Sequence, residues 1–253
     1  MSDDTIDLAT PEEFTPFEFK LGRLEKVAVD LAPLHTYFDN GALPVAPPKC
    51  TYALKVNYPM CDNDRLGCCV LAGHIHLTQA LTYEIAGQYV VPNGEAIQTE
   101  YFSLTGGADT GLVESTFLTT AQKAPICGSQ VDVFCPFDHT QIDHVKSVIY
   151  TFGGAFLGVT LPQSAQNQFP GTWTVVPGSP IVGGHCIIAV GYDAQYVYVV
   201  TWGRVIRCTW EWFATYVDEA YAIIYTEEVQ KNRGPLKQLD ITRLRADIAA
   251  FHS

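Results

Sequence analysis

Two apolar runs in the second half of the chain, Cys186-Ile187-Ile188-Ala189-Val190 and Tyr196 to Trp202, are separated only by the turn sequence Gly191-Tyr192-Asp193. They are too short for helices and rich in β-branched and aromatic residues, so they read as buried strands paired through a tight turn. Arg204 to Cys208 and Tyr221 to Tyr225 add further strands, Ala155 to Leu161 is another short apolar run, and Gln163 to Gly184 reads as a Gly/Pro-punctuated loop. The first half has a different period. Between Val70 and Gly87 there is no proline, and Val70, Ile75, Leu77, Leu81 and Ile85 recur at helical spacing. Further helices are expected from Leu112 to Lys123, ending before Pro125, and from Gln141 to Phe152, with Ile142, Val145, Val148 and Ile149 on one stripe. Helices first and strands afterwards is the α+β pattern of segregated elements.

Residues 1–48 are rich in Pro, Asp and Glu and end in Leu43-Pro44-Val45-Ala46-Pro47-Pro48, where the missing donors of proline forbid a helix. The expected organisation is an extended arm over 1–42, a body over 43–230 and a tail over 231–253. In the tail, Asp240 serves as N-cap to a docking helix with Ile241, Leu244, Ile248 and Phe251 on one face. The arm is expected to pack on the body and leave any cleft open, with neither Phe17 nor Phe19 lying across it.

Charge narrows the partners. A formal net charge of −12, with no Lys/Arg cluster to reverse it locally, argues against nucleic acid and anionic membranes. The N-terminus lacks the basic and apolar segments of a secretory signal, and no run of about 18 apolar residues could span a bilayer. A soluble chain, cytoplasmic or phage-associated, is expected. In that setting the eight cysteines are expected to be mostly reduced, with Cys127 and Cys135 the one plausible local bridge.

A thiol attacks a carbonyl as its thiolate, which a helix N-terminus and a nearby imidazolium favour. Cys69 stands where the first helix begins. Gly67 before it would let a substrate backbone approach, and Asn63, six residues upstream, could donate to an oxyanion together with the Cys69 N–H. The bland readings stand beside these: a small buried cysteine, a turn asparagine. Asp62, Asn63 and Asp64 lack the alternation and downstream Glu of a calcium loop. His74 and His76 point to different helix faces and read as core or surface histidines, not ligands. Cys68 is expected to be structural, and Trp173, Trp210 and Trp212 to be packing residues.

The segments Gly183-Gly184-His185, Gly191-Tyr192-Asp193 and Thr201-Trp202-Gly203, following the Cys69 helix in that order, resemble the papain-like cysteine peptidases. Asn63-Asp64-Arg65-Leu66-Gly67-Cys68-Cys69 looks like the Asn-Asp-x-x-Gly-x-Cys variant of a bacterial and phage-borne branch, as do Thr201-Trp202-Gly203 and Val217 to Ala222. The likeness runs from about Leu43, whose stretch to Val56 resembles the strand-forming start of such an enzyme, to Tyr225. It implies a two-lobe α+β fold, a helical lobe and an antiparallel-sheet lobe with the site in the cleft between them. It further implies Cys69 as nucleophile, His185 as base, Asn63 as oxyanion donor, Trp202 as an indole shield of the imidazole, and Gly106 and Gly107 as cleft glycines, although turn glycines are the commoner explanation. Gly184 would also line the cleft. The orienting asparagine of the family falls on Val200, which leaves Thr201 as the nearest polar group for that task. The expectation is a peptidase acting on a peptide or protein through a thioester, with no metal or organic cofactor. The rivals are a catalytically idle structural or binding protein and a thiol acyltransferase or amidase using the same site.

Overall fold

In the computed structural model, which describes residues 18–86, 92–226 and 238–251, the β-branched runs assemble into one antiparallel sheet. Its strands are β1 (Val131–Pro136), β2 (Ala155–Pro162), β3 (Ile181–Tyr192), β4 (Tyr196–Thr201), β5 (Arg204–Thr209) and β6 (Val217–Tyr225). They lie in the order β1-β6-β2-β3-β4-β5. The helices are α1 (Cys69–Ala86), α2 (Gly94–Leu104), α3 (Glu114–Lys123), α4 (Ile142–Phe152), α5 (Gln163–Gln168), α6 (Trp210–Tyr216) and α7 (Ile241–Phe251).

Alternation along the strands builds two cores. Cys186, Ile188 and Val190 of β3 pack with α1, α2 and α3, whose Leu71, Ile97 and Phe117 are buried with them. Ile187 and Ala189, one residue out of phase, pack with Val148 of α4, Phe213 of α6 and Leu244 of α7. A strand covered on both faces must be apolar throughout, which is why β3 reads as a continuous hydrophobic run.

Several expectations are amended. The segment Gln163 to Gly184 is not all loop: it holds α5 and the first residues of β3. Helices α2 and α6 and strand β1 escape the sequence periods, α6 because it is only two turns long. The stretch Leu43 to Val56 is reduced to one antiparallel bridge, Cys50 to Tyr192, and a short 3-10 turn at Tyr52–Lys55. All eight cysteines are free, Cys127 and Cys135 included. In the tail, Asp240 Oδ1 accepts from Arg243 N at 3.0 Å, the N-cap expected of it, and Leu244 and Ile248 dock α7 on the body.

The larger correction concerns the arm. Residues 19–24 do not leave the body's cleft open but run through it. Leu112 N donates to Gly22 O at 2.9 Å, Leu24 N to Leu112 O at 3.0 Å, and Arg23 N to Gly184 O at 3.1 Å. Phe19 is buried, its ring stacked on Trp202. Phe17 lies outside the described residues. The reason is packing: the ring of Phe19 is buried against Trp202, and the guanidinium of Arg23 is buried against Asp218 and Glu219.

Candidate active site

Cys69 is the first residue of α1, and Ala72 N donates to Cys68 O at 2.9 Å, so Cys68 caps the helix and Cys69 stands in its first turn. The loop before it is held by polar contacts. Asp62 pairs with Arg65 and accepts from Gln98 Nε2 at 2.9 Å, while Cys61 and Asp62 both take positive φ near 56°. Gly67 N donates to Asp109 Oδ1 at 2.9 Å. Cys68 turns its thiol back to Cys61 O at 3.3 Å, the structural role expected of it.

Gly67 is where the arm crosses closest. A methyl group on Gly22 would overlap the Gly67 carbonyl, and one on Gly111 would overlap the carbonyl of Gly22. Only chains without a Cβ can pass so near each other. The glycine beside the crossing segment is therefore Gly111, next to Leu112. Gly106 and Gly107 are exposed, with φ of +69° and +91°, and Gly107 N closes the end of α2 on Phe102 O. They stand in a turn with open space around them.

His185 lies in β3, fully buried. Its Nε2 is 2.8 Å from Thr201 Oγ1, and its ring stacks on the Trp202 indole at a centroid distance of 4.7 Å and an angle of 23°. The hydroxyl of Thr201 thus stands where Val200 has nothing to offer, and Trp202 covers the imidazole face. His185 Nδ1 is buried without a hydrogen-bond partner.

Cys69 reaches β3 at the next residue: the backbone amides of Cys186 and Gly22 face its thiol. No hydrogen bond joins the thiol to the imidazole, whose Nδ1 remains unpaired. The Cys186 side chain points the other way, toward Gly73 of α1. Protonation agrees with this neutral pairing. Burial pushes the Cys69 thiol up to about 11, against the favourable amides of Cys186 and Gly22. Burial, aided by the positive charge of Arg23, drives His185 down to about 3. The helix N-terminus was expected to favour a thiolate; beneath the arm, desolvation outweighs it.

Asn63 is buried with its Oδ1 unpaired, and its backbone N donates to Met60 O at 3.2 Å. His74 and His76 are core histidines: His74 Nε2 lies 3.1 Å from Ile126 O, and His76 Nε2 lies 2.8 Å from Pro59 O. Trp173 and Trp212 are fully buried and packed on one another. Among the described residues, no group of three or more His, Cys, Asp or Glu could hold a metal ion, and no helix is long and apolar enough to cross a membrane.

Sequence reasoning missed three carboxylates around the cleft. Arg23 Nη2 donates to both oxygens of Asp218 at 2.7 and 2.9 Å, and Nη1 donates to Glu219 Oε2 at 2.9 Å. Glu114, at the start of α3, is fully buried beside them. The signal available was two adjacent acids, Asp218 and Glu219, opening an otherwise apolar strand.

Solved structures share this architecture. The fold matches xylellain, a cysteine protease from Xylella fastidiosa, at a TM-score of 0.62 and 13% identity over 84% of this chain and 98% of that one. It matches procathepsin B S9 from Trypanosoma congolense at 0.56 and 12% identity, over 81% and 86% of the two chains. The Carica candamarcensis cysteine protease CMS1MS2, in complex with E-64, matches at 0.51 and 13% identity over 70% and 98%. No protein-family model and no curated protein matches the sequence. The fold is the papain-like α+β fold of cysteine proteases.

Proposed function

We propose that this chain is a latent papain-like thiol hydrolase, acting on a peptide amide through Cys69, with residues 19–24 closing its cleft. The carrying observation is the state of His185. One ring nitrogen is fixed by Thr201, one face is covered by Trp202, and the other nitrogen is left unpaired one residue from the backbone amide that faces Cys69. A base needs that arrangement: a defined tautomer, protection from water and one nitrogen free to take a proton.

In the open form, water re-enters around Cys69, and the helix N-terminus again favours its thiolate. His185 Nδ1 takes the thiol proton, and the sulfur adds to the substrate carbonyl. The oxyanion forms beside the Cys69 N–H and the Asn63 amide. The proton passes from His185 to the leaving amine, and water then cleaves the thioester, regenerating the thiol. The alkylation rate of each cysteine, read by mass spectrometry after an epoxide or iodoacetamide pulse, tests this. In Arg23→Glu, which sets a carboxylate against Asp218 and Glu219 in place of their partner, Cys69 is expected to react at least tenfold faster than Cys68. Equal rates in a folded variant would leave an idle papain-like binding domain. Product analysis on peptides with an added amine distinguishes hydrolysis from acyl transfer.

A further inference from the structure

We infer that the acidic recess holding Arg23 is a substrate subsite for an arginyl side chain, and that Arg23 occupies it in place of substrate; this rests on the hydrolase reading above. The recess is shaped for a guanidinium and not for a positive charge alone. Asp218 accepts from Nη2 with both oxygens and Glu219 accepts from Nη1, so the planar fork is read on two edges. The floor is Gly158 of β2: a methyl group there would come within 2.8 Å of Nη1, so the absence of a side chain makes the room. The second oxygen of Glu219 is occupied by Tyr221 OH at 2.6 Å, which fixes the carboxylate.

A third acidic residue stands close to the recess. Glu114 is fully buried beside Arg23 and Glu219, with the Cys186 thiol as its polar neighbour, and burial holds its carboxyl well above the usual carboxylate range. With the arm gone, the Asp218 and Glu219 carboxyl groups would be left around a recess that a cation fills. Its position suits a substrate: Arg23 follows Gly22, which lies against Gly67 and the Cys69 thiol, and its backbone pairs with Gly184. Lysine has one compact charge and cannot span both acceptors, so arginine is preferred to lysine.

The test uses the full chain carrying Arg23→Glu with Cys69→Ala, so that binding is read without turnover. Fluorescent peptides of the sequence Phe-Lys-Leu-Gly-Xaa-Leu-Glu, with Xaa Arg, Lys, citrulline or Leu, are titrated by anisotropy. The Arg peptide is expected to bind at least tenfold more tightly than the Leu and citrulline peptides and more tightly than the Lys peptide. Adding Glu219→Gln should remove most of that preference. Equal affinity for Arg and Leu overturns the subsite. Because Cys69 alkylation in Arg23→Glu alone reports the nucleophile, a reactive thiol with no arginine preference sinks this inference and spares the hydrolase, and the reverse result does the opposite. Should Arg23→Glu not fold, full-chain Arg23→Ala replaces it. Its recess is then probed with n-propylguanidine against n-butylamine, and a thermal upshift with the guanidine alone supports the subsite, while no upshift or equal upshifts overturn it.

Discussion

The ring of Phe19 lies flat on the indole of Trp202, with centroids 4.4 Å apart and planes inclined by 13°. His185 stacks on the same indole, with centroids 4.7 Å apart. One aromatic pair therefore couples the arm to the candidate base. Phe19→Ala removes a buried ring and is expected to cost about 3 kcal/mol of stability. The same change should raise the alkylation rate of Cys69, because the arm loses its aromatic anchor. Urea unfolding and a thiol-trapping time course measure the two effects. A stability loss with no change in trapping would show that Phe19 serves packing alone.

The glycine crossing gives a cleaner way to open the cleft. In Gly22→Ala the new methyl overlaps the backbone carbonyl of Gly67, and neither backbone can turn aside as a side chain could. The arm should separate from the body while the sheet and α1 stay folded. Hydrogen exchange is expected to rise at Leu24 and Leu112, whose amides make the crossing bonds, and to remain slow across β3. Unchanged protection at Leu112 would contradict the prediction.

Thr201→Val replaces the hydroxyl that fixes His185 Nε2 by a methyl group of similar shape. The ring then has no partner to set its tautomer. In an arm-released background, turnover of a peptide substrate is expected to fall by about 100-fold with KM little changed, and Thr201→Ser should restore most of it. A matched loss for Val and Ser would mean that the position matters through packing only.

Stability should fall in acid. Burial holds His185 down to about 3 and His74 and His76 down to about 4, against an ordinary histidine value of 6.5. Each folded-state value lies below its unfolded one, so the unfolded chain binds protons that the native chain refuses. That stability is present above about pH 6.5 and is lost as pH falls toward 3 or 4, by about 1.4 kcal/mol per pH unit for each histidine. For Cys69 the folded value is raised from 9.0 to about 11, so its contribution is present below 9 and lost on the way to 11. Urea midpoints between pH 4.5 and 10 should trace a dome. A flat profile between pH 4.5 and 6.5 would refute the buried histidine assignment.

The sequence by itself determined the elements whose hydrophobic period repeats several times. The helices at Cys69–Ala86 and Ile142–Phe152, and strands β3 and β4, are legible because their apolar positions leave no alternative face to bury. Cys69 at a helix start, and His185 ahead of an apolar strand with Trp202 downstream, are local patterns, and the structure keeps each in its expected element. Helix α6 and strand β1 were not legible, being too short for a period to declare itself, and α2 went unmarked although Asn93 caps it with a side-chain bond to Ala96 N at 2.8 Å.

What only the tertiary structure decided is which distant groups meet. Thr201 reaches His185 because β4 pairs with β3 in a register that sets Val200 opposite Ile188. Glycines at 22, 67 and 111 have no common pattern, yet they allow three backbones to cross at one point. Arg23 finds Asp218 and Glu219 almost two hundred residues away. Such contacts carry no local period, since their energy arises from burial and charge pairing after the chain has folded back on itself. For the same reason, the protonation of Cys69 belongs to the tertiary structure: the helix N-terminus favours its thiolate, and burial beneath the arm withholds it.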